Sequence, residues 1–255
     1  MPQRSQRSLR HEYELYVEQE IENYKDSVSR TFLLKIGDEA VSSLAADQQL
    51  ALTELVLCEE VDRIIRSRLR LPTYRTWRAR RVRLLESYRR PEHWGLPPDG
   101  PLVREVQPAA EGHVLIAGGS TEGPALYLAA HGSDVTALDE EPDAVRRVVE
   151  AAEAAGLTQR VRGCIADLRD WSPDVPLSAV VCSSSALARL AAPDRGRFLD
   201  TLQCATRTGG IHLLQVGTPD DIPLDELRSH YRGWEIVVRT DSVPDDAFVA
   251  RKAVA

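Results

Sequence analysis

Apolar positions in the first ninety residues recur at helical steps. Tyr13, Tyr16, Val17, Ile21, Tyr24 and Val28 draw one stripe along an amphipathic helix that begins near Leu9. Ser29 to Thr31 interrupts the stripe, and Phe32, Leu33, Ile36, Ala40 and Leu44 predict a second helix that contains Gly37. Asp47 is placed to cap a third, whose inner face would hold Leu52, Leu55, Val56, Ile64 and Ile65 before Leu71-Pro72 ends it. Thr73 can cap a fourth, with Tyr74, Trp77, Leu84, Leu85 and Tyr88 inward. Residues 1–90 therefore predict an all-helical N-terminal module.

The pattern then changes twice. Residues 91–112 are rich in Pro and Gly and keep no period, so they read as a connector laid over a surface. From His113 the helical period alternates with short apolar runs. His113 to Ala117 is a strand, Gly118 and Gly119 break it, Pro124 suits the first turn of a helix, and Gly132 stops that helix. Asp134 to Leu138 is a second strand with Asp139 at its carboxyl end. Glu141 to Ala155 is a helix, Val161 to Ile165 a third strand followed by Asp167, and Ser178 to Cys182 a fourth. A helix over Pro193 to Thr206, a Gly209-Gly210 turn and a strand over Ile211 to Val216 follow. A short helix from Leu224 to Tyr231 precedes strands Glu235 to Thr240 and Phe248 to Ala253, an antiparallel pair by their turn residues. Seven strands alternating with helices over 113–255 predict an α/β domain with a mainly parallel sheet. Such sheets bind ligands at the carboxyl ends of their strands, and a strand, glycine turn, helix and second strand ending on an acid suit a nucleotide-type ligand whose ribose hydroxyls Asp139 would hold.

Composition narrows the classes. With 43% hydrophobic and 28% charged residues in 255, the chain has the make-up of a soluble globular protein. It has no apolar run of membrane-spanning length and no signal-peptide pattern at its N-terminus, so a cytoplasmic protein without a membrane partner is expected. Cys58, Cys164, Cys182 and Cys204 form no CxxC pair, which points away from zinc and disulfides, and the histidines show no metal-ligand spacing. Charge divides unevenly: residues 1–100 hold 17 basic and 16 acidic side chains, the remainder 15 and 23. Arg63 to Arg90 holds 11 arginines against Glu86 alone, a pattern open to a phosphate or nucleic-acid surface. Arginine outnumbers lysine 29 to 3 throughout, however, and the interleaved aromatics fall on the inward stripe, so a solvated face is preferred over nucleic-acid binding.

The residues from 113 onward resemble class I, Rossmann-like, S-adenosylmethionine-dependent methyltransferases, most of all the small-molecule type related to tellurite-resistance methyltransferases. The resemblance rests on the glycine turn at Gly118, ALYLA at Ala125 to Ala129, VTALD ending at Asp139 and GCIADLRDW with Asp167. SSSALARL at Ser183 to Leu190, TGGIHLL at Thr208 to Leu214 and GWEIV at Gly233 to Val237 add to it. It implies a Rossmann-like, mainly parallel seven-stranded sheet preceded by the helical module, with S-adenosylmethionine as cofactor and a small-molecule methyl acceptor. It also implies roles. Gly118 and Gly119 would let the backbone approach the methionine part of the cofactor, Asp139 would hold the ribose, Asp167 and Leu168 would contact the adenine, and Ser183 would line the transfer pocket. No dedicated catalytic base is implied.

The register also departs from that family. Ile116 stands where an acid is usual, Ser120 and Glu122 where the second and third glycines are usual, and Ser178 where an acid often begins the fourth strand. These positions favour a second reading, a catalytically degenerate methyltransferase fold kept as a binding or scaffold module. A nicotinamide-dependent short-chain reductase, suggested by IAGGSTEG, is disfavoured because the chain has no YxxxK. Gly118 and Gly119 could form a bare structural turn, and Asp167 could cap the turn from Leu168 to Trp171. The N-terminal helices read as a lid or as the contact of a homodimer, and Trp94 as packing rather than as a lid with His93.

Overall fold

Hydrophobic stripes in the first 84 residues close on one another. The structure is a computed structural model, and it describes residues 8–46, 54–106, 112–118, 121–215, 222–239 and 247–253. Two compact units divide the chain, Met1–Leu84 and Leu85–Ala255. The first holds helices α1 (Leu9–Ser27), α2 (Arg30–Ala46), α3 (Glu54–Leu69) and most of α4 (Tyr74–Tyr88). Ser8 caps α1 by accepting from the His11 N–H at 3.2 Å, and Thr73 accepts from Thr76 N–H at 3.4 Å at the start of α4. Val17, Ile21, Ile36, Ala40, Ile64 and Ile65 form the buried centre. Tyr13 packs its ring at a tilt against Tyr74 and Trp77, with centroids 5.4 and 5.5 Å apart, and donates its hydroxyl to the Pro72 carbonyl at 2.9 Å.

Two inward positions are corrected here. Leu55 is 70% exposed, because it lies two residues before Leu57 and hence across the helix from the Leu57, Val61, Ile64 and Ile65 stripe, and Leu84 is also exposed. Leu52 and the Asp47 cap lie outside the described residues.

The connector is more ordered than its composition suggests, and it belongs to the second unit. It contains a 3₁₀ turn, Pro91–Trp94, and a short helix α5, Pro101–Glu105, each with a proline at its start. Leu102 and Val106 are buried in the core of the sheet domain, and Trp94, Leu96 and Val103 pack against that core. Gly123 admits the connector: a Cβ there would lie 2.6 Å from the Trp94 carbonyl oxygen. Trp94 Nε1 in turn donates to the Tyr88 carbonyl at 2.6 Å.

Beyond it follow β1 (His113–Ala117), α6 (Glu122–Ala130), β2 (Asp134–Asp139), α7 (Pro142–Ala155), β3 (Val161–Ile165) and β4 (Leu177–Ser183). Helices α8 (Ser184–Ala188) and α9 (Ala192–Ala205), strand β5 (Thr206–Gln215), helix α10 (Leu224–His230), and strands β6 (Trp234–Arg239) and β7 (Ala247–Lys252) complete the unit. The strand order is β3-β2-β1-β4-β5-β7-β6. Four pairings are parallel and two, β5 with β7 and β7 with β6, are antiparallel. The sheet is therefore mixed, a correction to the mainly parallel one expected. Insertion of β7 between β5 and β6 is the reason.

Both faces are covered, which explains why the strands read as continuous apolar runs. Val114, Ile116, Val135, Ala179 and Val181 face α6 and α7, while Leu115, Leu138, Val180 and Cys182 face α9 and α10. Strand β5 also starts earlier than its glycines suggest. Leu177 pairs with Thr206 and Ala179 with Ile211, so residues 207–210 bulge out opposite Ser178 alone.

Candidate functional site

Gly118 follows β1, Asp139 ends β2, Asp167 follows β3 and Ser183 ends β4. Because the sheet runs β3-β2-β1-β4, these four residues stand at the carboxyl ends of four adjacent strands. Between β1 and β4 the order reverses, with α6 covering one face and α9 the other, which makes this a topological switch point and the expected place for a ligand.

Gly118 has φ +68°, a conformation few other residues adopt, and its N–H donates to the Leu138 carbonyl at 3.0 Å. A Cβ on it would lie 2.3 Å from the Ala186 Cβ and 3.9 Å from the Ser183 Cβ. Thus α8, an element the sequence pattern had not separated from its surroundings, packs on the glycine turn. Gly119 and Ser120 lie outside the described residues. Glu122 is exposed in the first turn of α6.

Asp139 is only 7% exposed, and its Oδ1 accepts from the Glu141 N–H at 2.9 Å. Among the described residues Oδ2 accepts no hydrogen bond that would compete with a ligand hydroxyl. The backbone donor fixes the carboxylate plane, a charge-assisted contact of the stronger kind.

Asp167 does two things at once. Its Oδ1 accepts from the Arg169 N–H at 2.8 Å, and its carbonyl accepts from Trp171 N–H at 3.1 Å, so it caps the turn after β3. Its carboxylate also faces the Arg169 guanidinium, whose Nε lies 3.0 and 2.8 Å from the two oxygens. Those hydrogen bonds to Arg169 hold the carboxyl below its ordinary range. Leu168 is 4% exposed with its side chain in the core, so only its backbone can face a ligand. Ser183 is 8% exposed and precedes α8.

Two of the residues standing at the departures from the expected motif have structural duties. Ile116 is core, and Ser178 Oγ donates to the His113 carbonyl at 2.9 Å, tying β4 to β1. Burial pushes the Cys182 thiol up to about 12, so it is no nucleophile at neutral pH. Among the described residues no group of three His, Cys, Asp or Glu side chains could hold a metal, and no helix is long and apolar enough to cross a membrane.

Sequence reasoning missed two features. One is a cavity of about 60 Å³ on the α6 face, bounded by Leu96 and Pro97 of the connector, Leu102 of α5, Val181, Leu213 and Ala247 of the sheet, with Gln215 beside it. Its only advance signal was the set of apolar residues among the connector's prolines. The other is a buried polar chain made of Thr206 and His212, both on β5, and Tyr231, which ends α10. His212 Nε2 lies 2.7 Å from Thr206 Oγ1, and Nδ1 lies 2.7 Å from the Tyr231 hydroxyl. Thr206 Oγ1 gives its proton to the Leu202 carbonyl at 2.7 Å, so its oxygen must accept from His212 Nε2–H. Nδ1 then accepts from Tyr231. Burial, and next the charge of Lys252, push His212 down to about 3.

No protein-family profile matches the chain, and no curated protein matches its sequence. Solved structures do share its fold. The TehB-like SAM-dependent methyltransferase from Corynebacterium glutamicum is 17% identical, with a TM-score of 0.50 over 69% of this chain and 99% of that one. TehB from Haemophilus influenzae is 20% identical (TM-score 0.48), covering 59% of this chain and 61% of that one. The N-methyltransferase NodS from Bradyrhizobium japonicum is 15% identical (TM-score 0.47), covering 72% and 100%. The sheet domain thus has the class I, Rossmann-like methyltransferase fold.

Proposed function

We propose that the chain is an S-adenosylmethionine-dependent methyltransferase acting on a small-molecule acceptor. Asp139 carries the proposal. A nearly buried carboxylate at the end of β2, with one oxygen fixed by the Glu141 N–H, would take the hydroxyls of a ribose. Gly118 would let the methionine portion pass close to the backbone, the Leu168 N–H and the Asp167 carboxylate would meet the adenine, and Ser183 would border the acceptor. When bound, the cofactor supplies an electrophilic methyl on a sulfonium. The protein's part is to align the acceptor's lone pair with that carbon and to exclude water, so positioning rather than a dedicated base supplies most of the rate.

Two contacts have to give way or be accommodated. Arg169 holds the Asp167 carboxylate, and Ala186 occupies the space over Gly118. The first is an exposed ion pair, of a kind worth little in water. The test is calorimetric titration with S-adenosylmethionine and S-adenosylhomocysteine, with NADPH as control. Binding of the first two is expected, together with a loss of at least tenfold in Asp139→Ala while its melting temperature stays within a few degrees. No heat with any of the three would leave a methyltransferase fold serving as a scaffold, and equal binding by Asp139→Ala would remove the assigned site.

A further inference from the structure

We propose that the 60 Å³ cavity between the connector and the sheet seats a short, uncharged aliphatic arm of the methyl acceptor, an inference that rests on the methyltransferase reading above. Its position comes from strand register. Val181 of β4 pairs with Leu213 of β5, and both line the cavity. Two residues on, Ser183 pairs with Gln215 at the strand ends, and residues two apart on a strand share a face. Ser183 adjoins Gly118, its Cβ 3.9 Å from the position a Cβ would take there. The cavity therefore lies one residue pair below the strand ends that border the glycine turn, on the same face of the sheet.

Its chemistry selects the ligand class. Among the described residues none that line it is charged, and Gln215 supplies their one polar side chain. An ionised group entering it would lose water without gaining a partner among them, which disfavours ammonium and carboxylate arms. A hydroxyl or carbonyl is tolerated at the Gln215 side alone. Size follows from volume: at roughly 10–15 Å³ for each water-sized particle, the space takes about four to six non-hydrogen atoms. A butyl or isobutyl group fits.

The wall is also preformed. Leu96 and Pro97 on one side are held by the Trp94 carbonyl against Gly123 and by Gly100, where a Cβ would lie 2.8 Å from Pro97 Cγ. Leu102 and Val103 on α5 face the sheet from the same segment. Ordinary interiors hold few voids larger than a water, and a void with an amide on its wall is built like a binding pocket rather than a packing defect.

Methyl-resolved NMR of the full chain, titrated with propan-1-ol, butan-1-ol, hexan-1-ol, butyrate and butylammonium, tests this. Saturable shifts are expected at the Leu102, Val103, Val181, Leu213 and Ala247 methyls. Kd should fall about fourfold per methylene up to butanol and not improve at hexanol, with both ions at least tenfold weaker than butanol. Val103→Ala, a partly buried position, should move the optimum to a longer alcohol, and Val103→Phe should abolish binding. Absence of saturable shifts, equal binding of the ions, or an unmoved optimum in Val103→Ala overturns the proposal. Calorimetry with S-adenosylmethionine on the same sample separates the two readings. Cofactor heat without an alcohol response removes the cavity assignment and leaves the enzyme. An alcohol response without cofactor heat removes the enzyme, and the acceptor assignment with it.

Discussion

Acid should unfold the sheet domain through one histidine. His212 is fully buried, and its two ring nitrogens are committed, Nε2–H to Thr206 and Nδ1 as acceptor from Tyr231. Protonating Nδ1 would force the Tyr231 hydroxyl to accept instead of donate, leaving its proton to find another partner at a fully buried position. Lys252, whose Nζ donates to the Gln203 and Thr206 carbonyls at 2.7 Å, adds repulsion. In the folded chain the group titrates at about 3, against 6.5 for an ordinary imidazole, so between those values the unfolded chain binds the extra proton. The contribution of a neutral His212 is therefore complete above pH 6.5 and is lost as pH falls towards 3. Each unit in that window is worth about 1.4 kcal/mol, so from pH 7.5 to 4.5 the loss is roughly 3 kcal/mol, a large share of a typical domain's stability. Urea unfolding followed through the β5 amides, at pH 7.5, 6.5, 5.5 and 4.5, measures it. His212→Gln keeps a donor and an acceptor but cannot titrate. It should be less stable than the wild type at pH 7.5 by about 1–2 kcal/mol and lose less on acidification. The carboxylates are common to both chains, so the difference isolates His212. A wild type and variant that lose stability in parallel down to pH 4.5 would refute the assignment.

Other substitutions probe the site and its supports. Gly118→Ala must bear φ +68° and meet Ala186, and is expected to destabilise by about 2–3 kcal/mol in chemical denaturation; a neutral result would mean that the glycine turn and α8 are not packed as described. Arg169→Ala should raise the Asp167 carboxyl towards its ordinary value in carbon-detected NMR titration and strengthen S-adenosylmethionine binding severalfold; weaker binding would make Arg169 a ligand rather than a competitor. Gly123→Ala should push the Trp94 carbonyl away and increase amide exchange over 94–106, with about 1–3 kcal/mol of destabilisation, whereas unchanged exchange there would contradict the close approach. Trp94→Phe removes the hydrogen bond to Tyr88 and is expected to lower stability by about 1 kcal/mol, measured by urea unfolding.

Local patterns foretold local structure. The stretch from His113 to Asp139 carries its strand, turn, helix and strand in sequence order, and each adopts the element its period implies. Leu55 shows the limit of a stripe: one apolar residue at the start of α3 fits the period loosely, and only packing decides that Leu57 faces inward instead. Strand direction at the sheet edge was half visible, since turn residues marked β6 and β7 as antiparallel but no local signal told that β7 would also insert beside β5. The acids could be placed at strand ends from spacing, yet the engagement of Asp167 by Arg169 depends on rotamers. The close neighbour of Gly123 is the Trp94 carbonyl, 29 positions earlier in the chain, a contact that no local pattern marks. The Thr206, His212 and Tyr231 chain had no signal at all, because a lone histidine on a strand says nothing of the bulge that brings Thr206 back to it or of the tyrosine that ends α10.

The place of β7 matters for how the protein is made. Ala247 to Lys252 follows all the other strands in chain order, yet it is an interior strand, with Ala247, Phe248, Val249 and Ala250 all buried. Until it arrives, β5 presents a row of unpaired backbone groups and β6 has no neighbour in the sheet. Helices and strands that can pair earlier form an open-edged intermediate until β7 has been synthesised, a state prone to join with another nascent chain on the same message. A chain cut just before Ala247 would hold every residue of the candidate site and still be unable to close the sheet.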